Sequence, residues 1–132
     1  MLDDDQVQLV AECSIFPGRL DEFKRLAQET IDAAKAGSKA IGYRWYFNRD
    51  ETKCYIIEQH PDSASLIRHL EVVGIPLLKL LDVSKITRFE VFGSLGHLES
   101  AEKLLQKVAT GFKITKLDWN PQNLDYWNGF VR

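Results

Sequence analysis

Apolar residues alternate through VQLVAECSIF (7–16). Val7, Leu9, Ala11, Cys13 and Ile15 share one phase; Gln8, Glu12 and Ser14 share the other with Val10 and Phe16. A period of two marks a strand with one well-buried face and one partly buried face. PGR then turns the chain. The period changes to that of a helix over 20–36, where Leu20, Phe23, Leu26, Ala27, Ile31 and Ala34 form one stripe. Asp21 and Glu22 suit the positive end of that helix, and Gly37 suits its C-terminal cap. GYRWYFNRD (42–50) puts Tyr43, Trp45 and Phe47 in one phase, with Arg44, Tyr46 and Asn48 in the other. NRDETK (48–53) reads as a hairpin turn, and CYIIEQ (54–59) as the returning strand. A second helix is expected over 61–74, capped by Asp62 or Ser63, with Leu66, Leu70 and Val73 inward. Gly74 and Pro76 interrupt it, and LLKLL (77–81) reads as a separate helical turn. KITRFEVFG (85–93) is a fourth strand, and Leu98, Ala101, Leu104, Leu105 and Val108 give a third helix over 97–109. Residues 112–132 show no clear period.

The order β-α-β-β-α-β is the split βαβ, ferredoxin-like arrangement, an α+β fold with two helices on one face of an antiparallel sheet. Its domain is expected to span 1–96. The helix and aromatic tail of 97–132 are expected to pack on that domain or on a partner subunit, since Trp119, Tyr126, Trp127 and Phe130 are too apolar to stay in water. The face without helices should be wet in a monomer. Large apolar residues occupy both phases of strands 2, 3 and 4, so a second sheet is expected to cover that face. A second copy of the chain is the economical source, giving a homodimer.

Composition narrows the class. The 132 residues are 45% hydrophobic and 27% charged, as in an ordinary globular domain. A formal net charge of −2 shows no electrostatic footprint for nucleic acid. No apolar run approaches the ~20 residues of a membrane span. MLDDDQ lacks the basic-then-apolar layout of a signal peptide. Cys13 and Cys54 are too few for a disulfide framework and show no metal spacing. The expectation is a cytoplasmic protein with reduced thiols, no metal and no bound cofactor.

FPGRLDEF, GYRWYFNRD, CYIIEQHPDSASLIRHL and RFEVFG, in that order and spacing, resemble the antibiotic-biosynthesis monooxygenase superfamily of dimeric α/β-barrel proteins. The resemblance covers about residues 7 to 93 and rests on Glu58, Asp62, Ala64, His69 and Leu70, with His60 where relatives carry an aromatic residue. It implies a cofactor-independent monooxygenase, in which a small phenolic or quinol-type substrate is itself the reductant of O₂. A non-enzymatic dimeric binding or interaction module of the same fold is the alternative, and an isomerase-type or haem-binding relative a further one. The haem-degrading branch would require Asn at Cys13, Trp at His60 and a ligand His near Leu78, and none of these is present.

The candidate catalytic residues are therefore His69, His60 and Glu58, and the candidate substrate-binding residues Trp45, Tyr43, Arg44 and Asn48. His69 sits at the edge of the Leu66–Leu70–Val73 stripe, where an imidazole either hydrogen-bonds a strand or loop or accepts a substrate proton. His60 precedes Pro61, which holds its backbone extended; solvent exposure is the simpler expectation. Glu58 is in phase with Ile56 and Cys54 and needs a partner, expected to be Arg44 or Arg88. EQHPDSASLIRHL is expected to form one rim of a pocket between sheet and helix.

Overall fold

The computed structural model describes residues 6–93 and 125–132. The chain runs β1 (Val7–Ile15), α1 (Leu20–Gly37), β2 (Gly42–Phe47), β3 (Lys53–His60), α2 (Ser63–Leu80), β4 (Ser84–Phe92) and β5 (Asp125–Val131). The strands form one antiparallel sheet in the order β4-β1-β3-β2-β5. The first four give the expected ferredoxin-like α+β order. The expected helix over 97–109 lies outside the described residues.

Register decides which side chains meet the helices. Leu9 pairs with Glu58, Ala11 with Ile56 and Cys13 with Cys54; Tyr43 pairs with Glu58 on the other side of β3. These residues share the face covered by α1 and α2, whose Phe23, Leu26, Leu66 and Val73 are buried against it. Arg44 pairs with Ile57, on the opposite face.

Two bulges alter the expected phases. Glu12 pairs with Arg88 but Cys13 with Ile86, so Thr87 is the extra residue. Ile86, Phe89 and Val91 consequently all join the core side. The mixed apolar phases of this strand thus reflect a bulge as well as a second covered face. In β5, Trp45 pairs with Asn128 and Tyr46 with Tyr126, leaving Trp127 extra and packed 5.3 Å from the Phe47 ring. This irregularity removes any period from the tail, which nevertheless completes the sheet.

α2 runs unbroken through Gly74 and Pro76, where the sequence suggested two pieces. Packing of Val73, Leu77 and Leu80 on the core offsets the helical hydrogen bond that proline lacks. Gly37 is the last residue of α1 rather than its cap; a Cβ there would stand 3.2 Å from the Val72 methyls, so it lets the helices approach. Gly129 has φ +126°, and a Cβ would fall 1.9 Å from the Tyr43 carbonyl oxygen. Only glycine lets β5 lie against β2 at this point. No described helix is long and apolar enough to cross a membrane.

Candidate functional site

Glu58 and His60 are two residues apart on β3 and therefore point to the same face, toward α2. His69 comes from the second turn of α2, which starts where Asp62 Oδ1 accepts a 2.7 Å hydrogen bond from the Ser65 amide. The three side chains meet. His60 Nε2 lies 2.9 Å and His69 Nε2 3.2 Å from the same oxygen, Glu58 Oε1. The first contact is an aligned hydrogen bond. The second is close enough for charge attraction without hydrogen-bond alignment. On the far side of its ring, His69 Nδ1 stands 2.9 Å from Ser38 Oγ, which also accepts the Ala40 amide at 3.0 Å. Tyr43 packs edge-on to His69 with centroids 4.6 Å apart, and the two imidazoles lie 4.9 Å apart.

Both imidazoles are fully buried, and Glu58 is 6% exposed. Two expectations are corrected. His60 is not exposed, because β3 extends to residue 60 in the core phase and α2 folds back over it. Glu58 is not paired with an arginine. Arg44 is on the opposite face, and so is Arg88, which binds Glu90 through contacts of 2.7 and 3.0 Å.

Burial pushes the Glu58 carboxyl up, but the His69 charge and the hydrogen bond and charge of His60 outweigh it and hold the group below 4.5. His69 is held below 6.5, chiefly by burial, against the pull of Glu58 and with a push from His60. At neutral pH the arrangement is thus an ionised Glu58 beside a neutral His69, and the His60 hydrogen bond supplies its durable support. An N–H on His69 Nε2 faces the anion favourably, whereas a bare lone pair there would repel it. The hydrogen-bond pattern therefore assigns the proton to Nε2, with Ser38 donating to Nδ1. The Tyr43 phenol is pushed well above 10 by burial and by the Glu58 charge, and the Cys13 thiol up to about 12 by burial. Neither is ionised at neutral pH.

A cavity of about 30 Å³ lies between the sheet and α2. Its wall is apolar except for Glu58, Tyr43 and Ser84, and Leu70, Val73, Leu77 and Leu81 roof it. Of the expected catalytic residues Glu58 lines it, while His60 and His69 stand behind Glu58. Of the expected substrate-binding residues Tyr43 lines it. Trp45 is buried beside Phe23 and Tyr43. Asn48 is tied into the hairpin turn by Thr52 and the Lys53 amide, far along β2 from Glu58. Sequence reasoning missed Ser38. Its only local signal was a small polar residue just beyond a helix end, and its partner lies 31 positions away.

No sequence model of a known family and no curated protein matches the chain. Solved structures do. MupZ from Pseudomonas fluorescens superposes with a TM-score of 0.71 at 19% identity, over 89% of this chain and 94% of that one. SnoaB from Streptomyces nogalater, a cofactor-independent oxygenase, gives 0.60 at 17%, over 68% of this chain and 93% of its own. A putative antibiotic biosynthesis monooxygenase from Nitrosomonas europaea gives 0.61 at 11%, over 72% and 95%. The chain therefore has the fold expected from its resemblance to that superfamily.

The buried site makes stability fall with acid in two stages. Between 6.5 and its lower folded value, His69 binds a proton in the unfolded chain and not in the folded one, so stability is lost as pH drops through 6.5. The Glu58 contribution is complete above 4.5 and is lost below it. Thermal melts should show a melting temperature that declines from about pH 6.5 downward and more steeply near pH 4; a constant value between about pH 7.5 and 5.5 contradicts this.

Proposed function

We propose that the protein is a cofactor-independent monooxygenase that oxidises a small phenolic or quinol-type substrate with O₂. The observation that carries this reading is the ionised Glu58 on the wall of an apolar cavity, backed by two imidazoles. SnoaB, on the same fold, supports the reaction class. Both imidazole contacts fall on Glu58 Oε1, so Oε2 is the oxygen positioned to take a substrate proton. His60 and His69 stay against Oε1 and hold the carboxyl group in place while Oε2 carries that proton. The substrate anion carries electron density at a ring carbon and passes electrons to O₂. The new C–O bond forms there, the O–O bond breaks, and the carbon keeps one oxygen as a carbonyl. The second oxygen leaves as water with that ring carbon's hydrogen and the proton held by Glu58. The apolar wall favours this by keeping bulk water from quenching the anion.

An aromatic ring needs more room than the cavity offers. An engineered cavity of about 150 Å³ binds benzene, some five times the volume found here. The roof must therefore move. α2 has its two irregular residues above the cavity, where Pro76 supplies no N–H to the helix and Gly74 has open space where a Cβ would stand. The small volume also favours a second reading, a packed binding or interaction module in which α2 never opens.

Oxygen uptake with a panel of dihydroxynaphthalenes, quinols and anthrones, with chelator present, separates the two. Wild-type turnover is expected, with Glu58→Gln reducing it by about 10²–10⁴ while the domain stays folded. Turnover unaffected by Glu58→Gln, or no uptake with any member of the panel, overturns the oxygenase reading.

The same proposal includes a homodimer. The face away from the helices carries Val10, Tyr46, Ile57, the half-exposed Phe92 and the buried Glu12, whose carboxylate lies 3.5 Å from Lys53 Nζ. Tyr55 there is pushed up to about 12 by burial and by the Glu12 charge. A charged pair among apolar neighbours suits a self-complementary interface better than open water. Light scattering at micromolar concentration should give twice the chain mass; a monomer contradicts the interface.

A further inference from the structure

We infer that Glu58, His60 and His69 form a binding site for a first-row divalent cation of the zinc type. The inference goes beyond the oxygenase reading and concerns a metal-loaded state of the same three side chains, in which Glu58 holds the ion and takes no substrate proton.

Chain spacing gives no hint of this. The donors come from alternate positions on β3 and from α2, and only the fold assembles them. One donor atom from each residue falls in a group whose members lie within 4.8 Å of one another. The two imidazole Nε2 atoms are 2.9 and 3.2 Å from Glu58 Oε1. Ligands about 2.0–2.1 Å from a tetrahedral zinc ion stand about 3.3 Å apart. An ion entering among the three therefore requires shifts of tenths of an ångström at these two contacts, and up to about 1.5 Å at the widest donor pair. Two imidazoles and a carboxylate are the donor set of open zinc sites, which keep a fourth position for water. Glu58 borders a cavity of about 30 Å³, and a water's share of liquid volume is of that size.

The protons can rearrange to suit. A cation needs the Nε2 lone pair on both rings. On His69 the proton moves to Nδ1 and is donated to Ser38 Oγ. That oxygen already accepts the Ala40 amide and has a second lone pair available. Ligating imidazoles donate the outer N–H to an oxygen acceptor that fixes the ring, and Ser38 Oγ would be that acceptor here. On His60, Nδ1 has no hydrogen-bond partner among the described residues, so a proton placed there displaces no existing bond. His69 Nε2 likewise lacks an aligned partner although it is buried and aimed at the carboxylate. A cation would satisfy it.

The test is titration of the chelator-stripped full chain with Zn²⁺, followed by calorimetry and by NMR of the histidine ring protons. The chain has three histidines, His60, His69 and His97. Saturation at one ion per chain is expected, with two ring systems shifting together and that of His97 unmoved. Glu58→Gln and His60→Ala should each weaken binding by more than about 10-fold, and Ser38→Ala by about 10-fold or more through loss of the ring support. Absence of saturable binding overturns the site, as does a shift confined to His97 or an affinity unchanged in the variants. If a variant does not fold, the wild-type ring shifts decide by themselves.

Discussion

A carboxylate taken out of water must be paired, and in this protein Glu58 is that carboxylate. Left alone, it would cost several kcal/mol. Its position on β3 leaves α2 as the element that can answer it, and α2 brings His69 to 3.2 Å while β3 itself supplies His60 at 2.9 Å. The pairing therefore locks the helix to the sheet at one register. Sliding α2 by one residue would withdraw His69 and present its neighbours Arg68 or Leu70. Apolar packing alone tolerates such a slip more readily than a buried charge does.

Distant parts of the chain converge on the same point. Ser38, just past α1, holds the outer nitrogen of His69. The backbone around Ser38 is held by Arg132, whose guanidinium donates to the carbonyl oxygens of Lys35, Ser38 and Ala40. The Arg132 amide also bonds the Ile41 carbonyl at 2.6 Å. β5 thus does more than lengthen the sheet: its end braces the loop that orients His69. Phe130 adds an edge-on contact to Tyr43, which packs on the same imidazole. The site is supported on regular elements and on the hydrogen bonds of His60 to Glu58 and of His69 to Ser38, which hold these side chains in one geometry.

α1, the first turns of α2 and the first three strands were legible in the sequence because their apolar periods are clear and their ends carry turn or cap residues, as at Asp62; the second half of α2 was not, because Gly74 and Pro76 read as a break. The site was legible in part. Glu58 and His69 could be placed near each other from the strand–turn–helix order. His60 was expected in solvent, since a strand end before proline normally meets water; its burial depends on the depth at which α2 packs. The arginine partners proposed for Glu58 failed on a parity that register alone reveals: Arg44 faces Ile57's side of the sheet. The bulges at Thr87 and Trp127 hid the phases of β4 and β5, because one inserted residue reverses every side chain beyond it. Ser38 and Arg132 act through contacts of high sequence separation, which no local pattern encodes.

The account stands on Glu58 being ionised and His69 being neutral in a buried contact. Nitrogen-15 NMR of the histidine rings in the chelator-stripped full chain at neutral pH tests this directly, because imidazole and imidazolium nitrogens, and protonated and bare ones, resonate apart. The account predicts a neutral His69 with its proton on Nε2 and Nδ1 accepting from Ser38 Oγ. A doubly protonated His69 at neutral pH, or a neutral ring with its proton on Nδ1, would contradict it.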